Sequence, residues 1–268
     1  MEEFIHNILS KLRPKIVDAI VEGNIHLALK YARHELQILM AHNLDTIQCR
    51  MKLWVIYRLI KDPNAKQYES NTPWNDFIND ILRRVRDEIS LAMIVEDDLE
   101  KALKYAKLEL RILSAISYDI AQSRLRIGVI YYWMMKYVNA MEFLTLAYES
   151  SIQSEILIEC LEYKGKIAED TEHYVAAYYY YLNASCLTQG DTHRTIHFYK
   201  KMGEMCEAND QSDIAIGYYE SAIEYSRNIT TSRPLADLLS HTADMLRKDY
   251  KERAEEYYQV ATEIYSRT

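Results

Sequence analysis

The sequence predicts an all-α fold, an α–α superhelix of about fourteen antiparallel helices. Only 6 Gly and 4 Pro occur among 268 residues, while 49% of the residues are apolar and 27% are charged. Sandwiches, barrels and doubly wound sheets need many tight turns with Gly and Pro, so this composition argues against them. Apolar residues also recur at helical spacing, as in Leu27, Tyr31 and Leu36.

An internal duplication organises the first half of the chain. The segment EGNIHLALKYARHELQIL at 22–39 returns 74 residues later as EDDLEKALKYAKLELRIL at 96–113. We therefore expect two copies of a three-helix unit, the first over residues 1–60 and the second starting at residue 75. Residues 61–74 are polar and contain two prolines, which predicts a loop between the copies.

Two polar features recur in both copies. Asp45 and Asp119 precede equivalent helices, where a carboxylate can accept an N–H of the first turn. A Glu followed 15 residues later by an Arg also recurs, which predicts a structural ion pair between neighbouring helices. The alternative is an Arg held for an anionic ligand. The two pairs are Glu35 with Arg50 and Glu109 with Arg124.

Small and aromatic residues repeat in the second half. The repeated sets are Gly128, Tyr131, Ala140, Leu144 and Ala147, then Gly165, Ala168, Ala177, Tyr181 and Ala184, then Gly203, Cys206, Ala215, Tyr219 and Ala222, and a weaker set with Ala243, Ala254, Tyr258 and Ala261. This pattern resembles the tetratricopeptide repeat (TPR) signature over residues 119–268. A small residue lets two helices approach closely, and the ring fills the adjoining gap. The resemblance implies that residues 75–268 continue with the first copy as one solenoid.

The TPR resemblance implies a partner-binding surface on the concave face, which the first helix of each repeat lines. We expect Tyr132 and Trp133 to anchor a protein or peptide partner, because aromatic side chains supply much of the binding energy at interfaces. Helical phasing places further residues on the same face. The predicted partner-binding set is Gln122, Leu125, Val129, Tyr132, Trp133, Glu162, Lys166 and Lys200.

Sequence motifs for catalysis are absent. The chain has no GxGxxG, Walker, HExxH or GxSxG motif, and its four cysteines form no CxxC pair. His193 and His197 have i, i+4 spacing but no third metal ligand of suitable spacing, so solvated histidines are the simpler interpretation. We therefore expect a protein that is not an enzyme and uses no metal or cofactor.

The charge distribution narrows the class of partner. Residues 1–141 carry 20 basic and 18 acidic side chains, whereas residues 142–268 carry 12 basic and 22 acidic ones. An acidic half repels nucleic acid and favours a basic or amphipathic peptide. The acidic start Met1-Glu2-Glu3 and the short apolar stretch Ile127–Met135 predict a cytoplasmic protein that does not insert into a membrane.

The leading hypothesis is a cytoplasmic, non-enzymatic TPR-type scaffold or adaptor. One alternative is a self-assembling structural protein that forms a homodimer through the ends of its solenoid. The end surfaces would be Phe4, Ile5 and Ile8, or Tyr257, Val260 and Ile264. Another alternative is an adaptor similar to the soluble NSF attachment proteins, because this chain, with its 23 tyrosines and net charge of −8, resembles their long, tyrosine-rich, acidic helical arrays.

Overall fold

The computed structural model describes residues 2–68, 76–188, 190–227 and 233–267. These residues form thirteen α-helices and one 3₁₀ helix and contain no strand, so the prediction of an all-α fold is confirmed. The α-helices are α1 Glu2–Val21, α2 Ile25–Ala41, α3 Ile47–Leu59, α4 Asp76–Ile94, α5 Leu99–Ala115, α6 Ala121–Trp133, α7 Tyr137–Ser150, α8 Ser154–Asp170, α9 Tyr174–Leu187, α10 Thr192–Ala208, α11 Ser212–Arg227, α12 Arg233–Leu246 and α13 Lys251–Arg267. The 3₁₀ helix is Pro63–Tyr68.

The chain divides into two compact units, Met1–Met135 (unit 1) and Lys136–Thr268 (unit 2). Unit 1 holds two similar three-helix sets, α1–α3 and α4–α6. Helices α2 and α5 have 17 residues each, and α3 and α6 have 13 each. The residues with positive φ that follow the helices also match at the 74-residue offset: Gly23 with Asp97, Asn43 with Ser117, and Lys61 with Met135. The duplication therefore extends to the backbone of the helix ends.

The predicted capping carboxylates accept hydrogen bonds at both equivalent positions. The N–H of Ile47 donates to Asp45 Oδ1 at 2.9 Å, and the N–H of Ala121 donates to Asp119 Oδ1 at 2.9 Å. The helices α3 and α6 begin two residues after these aspartates, one residue later than the sequence suggested. The carboxylates thus satisfy a first-turn donor that the helix itself leaves without an acceptor.

The structure pairs Glu35, as predicted, but with Lys52 and Arg13 instead of the predicted Arg50. Glu35 is fully buried, and its carboxylate accepts from Lys52 Nζ at 2.8 Å and from Arg13 Nε at 2.9 Å. Arg50 instead donates to the carbonyl of Gln67. Lys52 lies on the buried side of α3 between Cys49 and Leu53, which explains why it, and not Arg50, reaches the buried carboxylate.

The second copy repeats this arrangement. Glu109 is fully buried, pairs with Arg86 at 2.6 Å, and forms a second short ion pair with Arg126. Arg126 stands 74 residues after Lys52, and Arg86 takes the place of Arg13. Each triad joins one side chain from each helix of its set. A buried carboxylate is therefore neutralised by two cations in both copies.

The predicted loop at 61–74 contains ordered helical structure. Residues Pro63–Tyr68 form the 3₁₀ helix, and the N–H of Asn64 donates to Asp62 Oδ1 at 2.8 Å at its start. The ring of Tyr68 stacks on Tyr57 of α3 with centroids 5.4 Å apart. This ring contact and the Pro63 start explain the helical turn, while residues 69–74 lie outside the described residues.

Unit 2 contains two helical hairpins, α8–α9 and α10–α11, in which a glycine of the first helix faces a tyrosine of the second. A Cβ built on Gly165 of α8 would lie 2.5 Å from Cε1 of Tyr181 on α9, and one on Gly203 of α10 would lie 2.5 Å from Cε1 of Tyr219 on α11. Only a residue without a side chain fits at such a distance. The small-residue and ring pattern of the sequence thus corresponds to close helix packing within these hairpins.

Candidate partner-binding site

The predicted partner-binding residues of unit 1 all lie on α6, but they differ in exposure. Gln122 is exposed, Val129 and Tyr132 are half-buried, and Trp133 is 56% exposed at the end of the helix. The Trp133 ring meets the Tyr132 ring edge-on with centroids 5.4 Å apart. Leu125 is only 1% exposed, so it belongs to the core and its inclusion in the partner-binding set was wrong. An accessible aromatic pair therefore remains on α6.

The predicted residues of unit 2 lie on the first helices of the hairpins, α8 and α10. Lys166 Nζ pairs with Glu162 Oε1 at 2.7 Å on α8. His197 Nε2 of α10 approaches the same oxygen of Glu162 at 3.8 Å. Lys200 is exposed on α10, and its Nζ lies 3.8 Å from Glu204 Oε1. The structure thus brings Glu162, Lys166 and the exposed side of α10 together.

A second group of charges continues along the same two helices. Lys201 Nζ lies 3.0 Å from Glu169 Oε1 on α8 and 2.9 Å from Glu204 Oε2 on its own helix. The hydroxyl of the buried Tyr181 donates to Glu169 Oε2 at 2.8 Å. The carboxylate of Glu169 therefore connects the surface charges to the tyrosine that packs on Gly165.

A third group repeats this connection between α10 and α12. The hydroxyl of Tyr219 donates to Glu207 Oε2 at 2.8 Å, and His241 Nε2 lies 3.0 Å from the same oxygen. Glu207 follows Glu169 by 38 residues, as Tyr219 follows Tyr181. We call the side of α8, α10 and α12 that carries these groups the A-helix face. Its charged and titratable members are Glu162, Lys166, Glu169, His197, Lys200, Lys201, Glu204, Glu207, Asp237 and His241.

The A-helix face contains a cleft of about 570 Å³ between α10 and α12. Its volume falls within the range of ligand pockets, about 300 to 1,000 Å³. The cleft is lined by Lys200, Glu204, Glu207, Tyr219, Asp237 and His241, together with two apolar residues. Three carboxylates thus face one lysine and one histidine, which makes the cleft acidic at neutral pH.

Burial affects the protonation of several groups on this face. Burial lowers the pKa of His197, although the nearby Glu162 carboxylate opposes this change. Burial, reinforced by the Glu169 and Glu207 carboxylates, raises the pKa of the Tyr181 and Tyr219 hydroxyls well above the usual range. Both hydroxyls therefore remain protonated donors to their carboxylates at physiological pH.

The predicted partner-binding set omits several residues of this face. Lys201, Glu207, Asp237 and His241 were absent from the predicted set, although they bridge the helices or line the cleft. The spacing of 38 residues between Gly165 and Gly203 would have predicted Glu207 from Glu169. No comparable repeat points to Asp237 or His241.

Neither a metal-binding cluster nor a membrane-spanning helix occurs in the described part of the chain. Within 2–68, 76–188, 190–227 and 233–267, no group of three or more His, Cys, Asp or Glu side chains has an arrangement that could hold a metal ion. In that same part of the chain, none of the helices combines the length and apolar character needed to span a membrane.

Comparison with known proteins identifies the fold. Neither a known protein-family profile nor a curated protein sequence matches the chain. A solved structure of MamA shares 18% identity and covers 64% of this chain and 91% of its own, with a TM-score of 0.51. The MamA segment from residue 41 to the end, from Desulfovibrio magneticus RS-1, shares 15% identity and covers 70% of this chain and 96% of its own, with a TM-score of 0.54.

A larger protein gives a higher structural score. It is a signal transduction ATPase with numerous domains (STAND) that has a tetratricopeptide repeat sensor, from Pyrococcus horikoshii. It shares 15% identity and covers 98% of this chain, while this chain spans 43% of that protein, with a TM-score of 0.60. At these identities the likeness concerns the fold, and the chain has an all-α, TPR-like helical repeat fold.

Proposed function

We propose that the chain is a non-enzymatic scaffold or adaptor that binds a protein or peptide partner on the A-helix face of unit 2. The observation that carries this proposal is the acidic cleft between α10 and α12, where Glu204, Glu207 and Asp237 surround an accessible volume. The Lys201–Glu169 ion pair between α8 and α10 and the His241–Glu207 contact between α10 and α12 hold these groups on rigid helices. A preorganised charged face of this kind favours binding because less side-chain entropy is lost.

The charge of the face favours a basic or amphipathic peptide. Five carboxylates and three lysines belong to it, and the C-terminal half of the chain is strongly acidic as a whole. Lys166 and Lys201 are already paired with carboxylates of the face. The cleft lining has three carboxylates against Lys200 and His241, so a Lys or Arg of a peptide would meet a net negative charge there, and the cytoplasmic peptide pool would supply such ligands.

The aromatic pair on α6 provides a second predicted contact, in unit 1. Trp133 is largely exposed and rests against Tyr132, so its ring can cover an apolar side chain of a partner. Gln122 and Val129 lie on the same helix and have accessible surface. We propose these four residues, without Leu125, as an anchoring surface for the same class of partner.

A phage-displayed random peptide library selected on the whole protein tests the main proposal. Selected peptides are expected to be enriched in Lys and Arg, and the double variant E204Q/D237N is expected to bind them at least about tenfold more weakly, which is about 1.4 kcal/mol. The control D249N/E256Q removes the same charges from exposed positions of unit 2 outside the cleft. Equal affinity of wild type and E204Q/D237N for the selected peptides would contradict the proposal.

A second variant tests the aromatic anchor. Trp133→Ala is expected to weaken binding of the selected peptides by about tenfold if the ring contacts the partner. The control is Tyr118→Ala, which removes another exposed ring of unit 1. An unchanged affinity of the Trp133 variant would restrict the binding site to unit 2.

Self-assembly is the second candidate function, and one observation favours it. Phe4 is 69% exposed, and the next residue in the chain, Ile5, lines a cleft of about 580 Å³ together with Leu9 and Leu39. Ile5 and Ile264 of the predicted end surfaces are buried within their own units. Phe4 and Val260 are therefore the exposed residues of these surfaces. A dimer through this cleft would show a concentration-dependent mass in light scattering, which Phe4→Ser would abolish.

A further inference from the structure

Unit 1 contains a cleft whose charge is opposite to that of the A-helix face. It lies between the end of α3, the 3₁₀ helix and the end of α5, and it has a volume of about 660 Å³. Leu59, Ala65 and Leu110 contribute its apolar lining. Four cations line the same cleft, with Asp62 as the one acidic side chain. These cations are Arg58, Lys61, Lys66 and Arg111.

The four cations of this basic cleft have no carboxylate partner among the described residues. Arg58 Nε donates to the carbonyl of Ala115 at 2.7 Å, and Arg111 Nη2 lies 3.5 Å from the carbonyl of Leu59. Lys61 and Lys66 are exposed, and neither forms an ion pair within the described part of unit 1. The two arginines thus cross-connect the ends of α3 and α5, while the lysines leave their charge available.

The duplication shows that the fold does not require these cations. The residues 74 positions after Arg58 and Lys61 are Tyr132 and Met135, and the residue 74 positions before Arg111 is Gln37. The buried triads, by contrast, retain both cations in the two copies. Cations that the fold needs therefore occur in both copies of the three-helix unit, whereas Arg58, Lys61 and Arg111 of the basic cleft have no cationic counterpart in the other copy.

We propose that the basic cleft binds a small organic phosphate. Its volume suits a small ligand, since ligand pockets measure about 300 to 1,000 Å³. Arginine and lysine are the side chains that recognise phosphate, by forked and point-charge contacts respectively. The apolar lining accommodates the organic part of the ligand, while Lys61 and Lys66 contact the phosphate oxygens. Asp62 is held by the N–H of Asn64 and leaves the net charge of the cleft positive.

Isothermal titration of the whole protein with three probes tests this site. The probes are ATP without divalent cations, inorganic pyrophosphate and adenosine. ATP is expected to bind at least about fivefold more tightly than pyrophosphate, and adenosine more weakly than either, because both the charge and the organic part contribute. Equal affinity for ATP and pyrophosphate would overturn the assignment of an organic ligand, and equal affinity for ATP and adenosine would overturn the role of the cations.

Charge-reversal variants locate the binding. K61E/K66E is expected to weaken ATP binding at least about tenfold, and the neutral variant K61Q/K66Q is expected to show a smaller loss. The matched control K11E/K15E reverses two exposed lysines of α1 and changes the net charge by the same amount. Circular dichroism checks that each variant remains folded. Absence of ATP binding to the wild type, or an equal loss in K11E/K15E and K61E/K66E, would overturn the proposal.

Discussion

Gly203 of α10 lies against the buried ring of Tyr219 of α11. Gly203→Ala would place a Cβ 2.5 Å from Tyr219 Cε1, so the ring or a helix must shift. We expect the variant to lose about 1–3 kcal/mol of unfolding free energy in urea denaturation. Gly217→Ala on α11 is the control, because nothing lies within 4 Å of its Cβ position. That variant is expected to gain about 0.5–1 kcal/mol from helix propensity. A Gly203 variant as stable as the wild type would disprove the close contact.

Ser123 is a buried residue of α6 whose hydroxyl has no hydrogen-bond partner in the described part of the chain. Its equivalent in the first copy is Cys49, whose Sγ–H donates to the carbonyl of Ala32 at 3.3 Å. We expect Ser123→Ala to raise the unfolding free energy by about 1 kcal/mol, because it removes a buried polar group that has lost its water. Thr242→Val is the matched opposite, since Thr242 is buried and donates to the carbonyl of Leu238 at 2.8 Å. That variant is expected to lose about 1 kcal/mol. Thermal unfolding measures the change in stability of both variants, and a destabilised Ser123 variant would refute the prediction.

We expect His197 to make the stability of unit 2 dependent on pH. Burial lowers its pKa below the ordinary value of 6.5, so below that pH the unfolded chain binds more protons at this position than the folded chain. This contribution to stability is complete above pH 6.5 and is lost as the pH falls through the folded pKa. His197→Gln should therefore lose less unfolding free energy than the wild type between pH about 7.5 and about 5. Urea denaturation at the two pH values measures the difference, and identical losses would show that His197 titrates normally.

At the scale of elements, the buried triads tie the three helices of each set in unit 1. Glu109 of α5 holds Arg86 of α4 and Arg126 of α6. Glu109→Ala would remove the shared buried partner of Arg86 and Arg126, whose side chains are 48% and 25% exposed, and we expect a loss of about 1–3 kcal/mol of unfolding free energy. A double-mutant cycle with Glu35→Gln, Lys52→Met and the double variant separates the interaction energy of the pair from the effect of changing each buried side chain alone. If the pair is coupled, the double variant loses less than the two single variants together. Additive losses would contradict a direct interaction.

The same elements show what the sequence can and cannot specify. Repetition pointed to Glu35 and Glu109 as paired residues, because a buried carboxylate needs a compensating cation in each copy. It could not choose between Arg50 and Lys52, since a cation recurs at both positions. The apolar stripe of Cys49, Leu53 and Ile56 contains Lys52 and would have decided the choice.

The sequence was also insufficient to predict which side of α6 is exposed. Buried side chains occur on several sides of this helix, among them Ser123, Leu125 and Ile127. A helix packed on several sides has no single polar face from which its exposed side can be phased, so Leu125 was placed on the surface. On α8 and α10, charged residues alternate with a clear apolar stripe, and the predicted Glu162, Lys166 and Lys200 do have accessible surface. The spacing of glycine and tyrosine predicted the hairpins, whereas the ion-pair partners on neighbouring helices could be identified only from the structure.

At the scale of the whole molecule, two proposed sites carry opposite charges and lie in different units. The acidic cleft of unit 2 has Glu204 and Asp237, and the basic cleft of unit 1 has Lys61 and Lys66. Direct contacts, and not the net charge of the chain, should control each affinity, because exposed charges are screened beyond about 8 Å at physiological salt. E204Q/D237N is therefore expected to weaken binding of cationic peptides by about tenfold and to change ATP affinity less than about twofold.

The reciprocal experiment uses K61E/K66E. We expect it to abolish most ATP binding and to leave the affinity for cationic peptides within about twofold of the wild type. Titrations in about 0.15 M salt measure both ligands on both variants, since lower salt would exaggerate long-range effects. If both variants alter both affinities in parallel, the electrostatic potential of the whole protein controls binding, and neither cleft is a specific site. If only one ligand loses affinity with its own variant, that site stands and the other fails independently.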